Sequence, residues 1–160
     1  TQAKDDPIYS IHNEVGYNFR LTNIQAALGI AQLEVLSKYI KKKKIIHERY
    51  KHKLSKINGL AISKVPHFAS NNYWLNILEI RKDLSKKKLS NIIKYLNKSG
   101  IETKPIWYPN HLQRKYKSCQ TYKLKNINKI CQNRLCLPSS MKLTSKQQDF
   151  ICSKLEYFFR

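Results

Sequence analysis

Two short stretches of this sequence carry side chains that could hold a ligand. In the first, Gly16-Tyr17-Asn18-Phe19-Arg20 runs directly into Thr22-Asn23-Ile24-Gln25. The second tetrad has the capping-box pattern, with a hydroxyl for one orphan amide and a side-chain amide returning to another, so a helix starts at Thr22. Backbone amides at a helix start favour anions, and an Asn amide with an Arg fork beside them suits a phosphate. An ordinary helix-start turn with Phe19 packed as a staple accounts for the same residues. In the second stretch, Lys104-Pro105-Ile106-Trp107-Tyr108-Pro109-Asn110-His111 sets two prolines, two aromatics and a histidine within eight residues. Proline fixes φ, so Trp107 and His111 could be held toward a ligand. A strand end and turn, with Trp107 buried and His111 as a surface cap, would also produce this pattern.

Other chemistry is thinly represented. Gly16, Gly29, Gly59 and Gly100 are isolated, so there is no glycine-rich phosphate loop. No serine sits in a nucleophile elbow, and the ten acidic residues form no obvious pair for acid–base work. Cys119, Cys131, Cys136 and Cys152 lack a CxxC pair or a histidine at zinc-ligand spacing, which predicts free thiols and no metal site. His12, His47, His52 and His67 have no such context and read as surface or structural residues.

The elements that must position these residues follow from periodicity. Apolar residues at Ile24, Ala27, Leu28, Ala31, Val35 and Tyr39 mark one helical face after the Thr22 cap. Ile45, Ile46 and Tyr50 continue it, predicting one long helix to about Leu54 with Asn58-Gly59 as its stop. A second helix is expected from an Asp83 N-cap through Leu89, Ile92, Ile93 and Leu96, closed by Gly100. A third starts at Thr144 with Gln147 three residues on, and its stripe is Phe150, Ile151, Leu155 and Phe158. A shorter helix is expected over Leu124 to Leu135. Strand candidates are Tyr73 to Ile80, Leu60 to Val65 and Ile101 to Ile106, together an α/β sandwich in which helices cover a small sheet.

The chain has 160 residues, enough for one core, and 41% of them are hydrophobic, which excludes a disordered tail. No apolar run is long enough for a transmembrane helix, and Thr1 to Ser10 has no signal-peptide pattern, so a cytoplasmic protein is expected. The only methionine is Met141 and the chain starts at Thr1, so we expect a piece of something longer. A net charge of +21 invites a nucleic-acid reading: a lysine-rich helical module gripping RNA or DNA through Lys41 to Lys44. The charge is carried by 25 lysines and only six arginines, scattered along the chain, which fits solvated surface better than base readout.

Both ligand-ready stretches resemble a known family. Val15 to Gly29 closely resembles the "VGYNYRMTNIQAALG" stretch of the pyridoxal-phosphate-dependent sugar aminotransferases of the DegT/StrS type. Ala31-Gln32-Leu33-Glu34 is similar to that family's "AQLE", and Gly100 to Pro105 to its "GIETRP". Trp107-Tyr108-Pro109-Asn110-His111-Leu112-Gln113 resembles its "WxPxHLQ", and Leu135 to Ser139 followed by Leu143-Thr144 its closing "LSLPS…LT". The resemblance covers nearly all of this chain but only the C-terminal part of the family's chain.

The resemblance implies the C-terminal portion of the fold type I pyridoxal-phosphate transferase fold. Residues 1–21 would be the end of the large domain and an active-site loop, 22–57 a long interdomain helix, and 58–160 a small C-terminal α/β domain. Pyridoxal 5'-phosphate would be the cofactor, with Asn18 reaching its phosphate across a homodimer interface into a shared active site. Arg20, Trp107 and His111 would contact the nucleotide sugar. An amino group would pass from glutamate to a 4-keto nucleotide-linked deoxy sugar, a precursor of cell-surface glycans. The Schiff-base lysine would lie upstream, so no catalytic residue is expected here and the chain alone should be inactive. A relative that has lost transamination, with a histidine replacing that lysine, is the alternative within the family.

Overall fold

The structure, a computed structural model, describes residues 21–81 and 86–160. Helix α1 (Asn23–Glu34) starts where its cap predicts: Gln25 N donates to Thr22 Oγ1 and Thr22 N to Gln25 Oε1 at 2.7 Å. The expected single long helix is instead two. Val35 leaves helical geometry (φ −107°, ψ 3°) and its N–H turns back to Leu33 O, so α1 ends there and α2 (Leu36–Leu54) begins. The two helices also differ in surroundings. Helix α1 buries none of its residues, with Ile24 76% and Leu28 62% exposed, whereas α2 buries Ile46, His47, Tyr50 and Leu54.

Past the Gly59 turn (φ 84°), strand β1 (Leu60–Ile62) pairs antiparallel with β2 (Asn76–Ile80), Leu60 opposite Ile80. Strand β1 is shorter than the sequence suggests because the chain departs toward Pro66 after Ser63 N donates to Ile77 O. Strand β2 starts three residues later than Tyr73. Asn71 and Asn72 side chains accept the amides of Tyr73 and Trp74, and Tyr73 adopts φ 54°, so the backbone there is a turn. Helix α3 (Lys86–Lys98) follows, and the expected Asp83 cap lies outside the described residues. It closes at Gly100 (φ 75°), where Ile101 N reaches back to Leu96 O.

Strand β3 is only Lys104–Pro105, because the Thr103 amide is already taken by Asn97 Oδ1 and Pro105 has no amide to give. A single-turn 3-10 segment at Leu124–Asn126 leads into α4 (Ile127–Gln132), which stops before Arg134. Arg134 to Leu137, of which the first two were expected to be helical, instead form strand β4. It lies inside the sheet, between β2 and β3, in the antiparallel order β1-β2-β4-β3. Helix α5 (Ser145–Phe159) has the predicted Thr144–Gln147 capping box, with Gln147 N donating to Thr144 Oγ1 at 3.2 Å.

Alternation along β1, β2 and β4 sends every second side chain inward, and α2, α3 and α5 cover that face. Tyr50, Leu78, Ile80, Ile92, Leu96 and Leu155 are fully buried there and form a single core. Of the predicted α5 stripe, Ile151 and Leu155 are buried and Phe158 packs on Tyr95, while Phe150 stays 47% exposed.

Candidate functional site

Asn18 and Arg20, the expected cofactor and substrate contacts, lie outside the described residues. What is described is the helix start they lead into. Its cap satisfies the Thr22 and Gln25 amides, and no acidic side chain stands in the first turn. Among the described residues, an anion approaching that end meets no carboxylate in the first turn.

Trp107 and His111 are both described, and they go to different places. Pro105 is fixed in β3 by pairing with Leu135, and Pro109 (φ −62°) opens a 3-10 turn over Asn110–Leu112 in which Leu112 N donates to Pro109 O. The turn sends His111 into an open groove of about 510 Å3, lined also by Asn110, Tyr116, Cys119, Gln120 and Thr121. Among the described residues, no lysine, arginine or carboxylate lines it, in a chain whose net charge is +21. Such a groove sets a few amide and hydroxyl groups against aromatic and apolar surface, Tyr116, Tyr122, Leu124 and Ile127, as ligand sites for sugars or nucleosides do.

Trp107 is 55% exposed, and its ring lies 5.7 Å from that of Trp74 at an interplanar angle of 42°. Sequence reasoning missed Trp74 because it stands 33 residues away, in what reads as a strand. Its main chain is firmly held. Trp74 N donates to Asn72 Oδ1, and Lys43 Nζ donates to the carbonyls of both Trp74 and Ser139. Lys43 is therefore a structural lysine inside a block that reads as surface charge, and its partial burial lowers its pKa below the ordinary lysine value. Ser139 Oγ accepts from Asn76 N and Nδ2 and donates to Leu137 O. Among the described residues, no group of three or more His, Cys, Asp or Glu stands together as a metal site would require.

The four-stranded antiparallel sheet, its helical cover and the helix leading into it are the fold of the C-terminal region of fold type I aminotransferases. The chain matches the structure of PseC of Helicobacter pylori, an aminotransferase involved in the biosynthesis of pseudoaminic acid, with a TM-score of 0.77 and 20% identity over 98% of this chain and 42% of that one. The chain belongs to the DegT/DnrJ/EryC1/StrS aminotransferase family, whose model matches residues 2–156. It is 32% identical to EpsN of Bacillus subtilis, provisionally named a pyridoxal phosphate-dependent aminotransferase, over 99% of this chain and 41% of that protein. It is 32% identical to the GDP-perosamine synthase of Caulobacter vibrioides over 89% of this chain and 38% of that protein. The chain thus spans about two fifths of the length of these relatives. Among the described residues, no helix is long and apolar enough to cross a membrane.

Proposed function

We propose that this chain is the C-terminal segment of a pyridoxal-phosphate-dependent aminotransferase that transfers an amino group from glutamate to a 4-keto nucleotide-linked deoxy sugar. The observation that carries the substrate half is the groove at His111: opened by a proline-fixed turn and lined by Asn110, Gln120, Thr121, Tyr116 and Tyr122 beside the apolar Leu124 and Ile127. The family match and the names of the relatives support the reaction class.

When bound, pyridoxal phosphate supplies the electron sink that lets an amino group leave one substrate and join another. This chain's part is to bind and orient. In this proposal Asn18 donates to the cofactor's phosphate across a homodimer interface, while Arg20, Trp107 and His111 hold the nucleotide sugar. The lysine that carries the cofactor belongs to the preceding part of such a protein, so activity requires both parts. The division into residues 1–21, 22–57 and 58–160 belongs to the same proposal, as does a cytoplasmic location. A dimer is supported by α1, whose apolar residues Ile24, Leu28, Ile30 and Leu33 are all more than 60% exposed.

The test is to express the whole gene product with its cofactor and supply glutamate with UDP-, GDP- and dTDP-linked 4-keto-6-deoxy sugars. Release of 2-oxoglutarate matched by an amino sugar in the mass spectrum is expected with at least one of them. A cofactor-loaded protein that releases none would refute the reading, and a histidine at the lysine's place would redirect it to the non-transaminating branch.

A further inference from the structure

We propose that Trp74 and Trp107 together form an aromatic platform for the nucleobase of the nucleotide sugar, which makes Trp74 an additional substrate-binding residue. This inference rests on the functional reading above. Both residues are more than half exposed (63% and 55%), with ring centroids 5.7 Å apart. A single exposed indole needs no explanation; two side by side form a continuous apolar patch of the kind found at recognition sites.

The way the pair is held points the same way. Trp74 is fixed through its main chain, its amide on Asn72 Oδ1 (3.0 Å) and its carbonyl under Lys43 Nζ (3.3 Å). Lys43 also binds the Ser139 carbonyl, so the segment before β2 is tied to the loop after β4. Trp107 sits two residues beyond the paired Pro105 and two before Pro109, and its carbonyl faces the Cys131 thiol. Both indoles thus project from restrained backbone, so a stacked ligand has less main-chain freedom to freeze.

The chemistry of the platform selects the base over the rest of the ligand. Two indoles offer π-faces, and the Lys43 ammonium is committed to two carbonyls instead of standing free for a diphosphate. A planar uncharged heterocycle matches such faces whatever its substituents.

The experiment uses the whole protein and compares wild type, Trp74→Ala and Trp74→Phe, with the free nucleoside diphosphate of the preferred sugar and inorganic pyrophosphate as competing ligands. Trp74→Ala is expected to weaken nucleoside diphosphate by about ten-fold or more, the loss of one stacked base, and to move pyrophosphate far less. It should raise KM for the sugar nucleotide by a larger factor than it lowers kcat, and Trp74→Phe should recover most of the loss. Wild-type nucleoside diphosphate affinity in Trp74→Ala would overturn the platform while leaving the aminotransferase reading intact, and so would an equal loss for pyrophosphate. A wild-type protein that binds no nucleoside diphosphate would bring down both. Should the alanine variant fail to fold, Trp74→Leu keeps an apolar side chain without the π-face and is expected to show the same loss.

Discussion

His47 Nδ1 donates to Asn76 Oδ1 across 3.0 Å, joining the middle of α2 to the first residue of β2. Neither residue is more than 6% exposed, and the other end of the Asn76 amide donates to Ser139 Oγ at 2.9 Å. One buried carboxamide therefore links a helix, a strand and the loop after β4, two residues downstream of Trp74. Asn76→Ala leaves the His47 Nδ1–H unpaired in the interior and removes one of the three hydrogen bonds at Ser139 Oγ, which keeps the Asn76 main-chain amide and the Leu137 carbonyl, and we expect a loss of about 2 kcal/mol. Urea unfolding measures it: the midpoint should fall at unchanged slope. A loss below about 0.5 kcal/mol would show that the amide contributes little to stability.

Asp149 on α5 is gripped by Arg49 Nη2 at 2.7 and 2.9 Å and by Lys53, both from α2. Hydrogen bonding to Lys53 and then to Arg49 holds its carboxyl below the ordinary aspartate range. Because the folded state binds this proton less tightly than the unfolded state, the contribution is present above about pH 4 and is lost as pH falls through the folded value. In Asp149→Asn that acid-side loss should be absent from the pH profile of the unfolding midpoint. An unchanged acid limb in the variant would mean other carboxylates set it.

The cysteines should separate by reactivity. Cys152 is 7% exposed, and burial pushes its thiol up to about 11, so at pH 8 almost none of it is thiolate. Cys119 is exposed and lines the groove at His111. Iodoacetamide at pH 8, read by peptide mass spectrometry, should label Cys119 well before Cys152. In the whole protein a bound nucleotide sugar should protect Cys119, and labelling indifferent to that ligand would place it elsewhere.

Asn18→Ala in the whole protein is expected to weaken pyridoxal phosphate binding by about ten-fold, the cost of one hydrogen bond to a charged group. The absorbance of bound cofactor against its concentration gives the number directly. Wild-type affinity would remove Asn18 from the proposed cofactor site.

What could be read from the sequence was mostly local. The Thr22–Gln25 and Thr144–Gln147 boxes lie within four residues each and appear as expected, as does the Gly100 stop. The break at Val35 had no such signal, because the apolar periodicity runs straight through it. Strand β4 was hidden because it has four residues, of which only Leu135 and Leu137 turn inward, and it follows directly on a helical pattern. The site divides in the same way. The proline-framed turn around Trp107 and His111 could be read from spacing alone. The Trp74 partner and the Lys43 anchor depend on contacts spanning 31 to 96 residues, which no local pattern encodes.

The strand order also governs how the chain can form during synthesis. Strand β3 pairs with β4 alone, and β4 separates it from β2, although β4 emerges last. As the chain leaves the ribosome, β1 and β2 can pair early, but β3 has nothing to join until residue 137 is out. A premature stop before Arg134 would therefore leave β2 and β3 as two unpaired edges, ready to pair with other chains. Nascent chains halted just short of that point should aggregate, whereas those released after α5, which supplies Ile151 and Leu155 to the core, should stay apart.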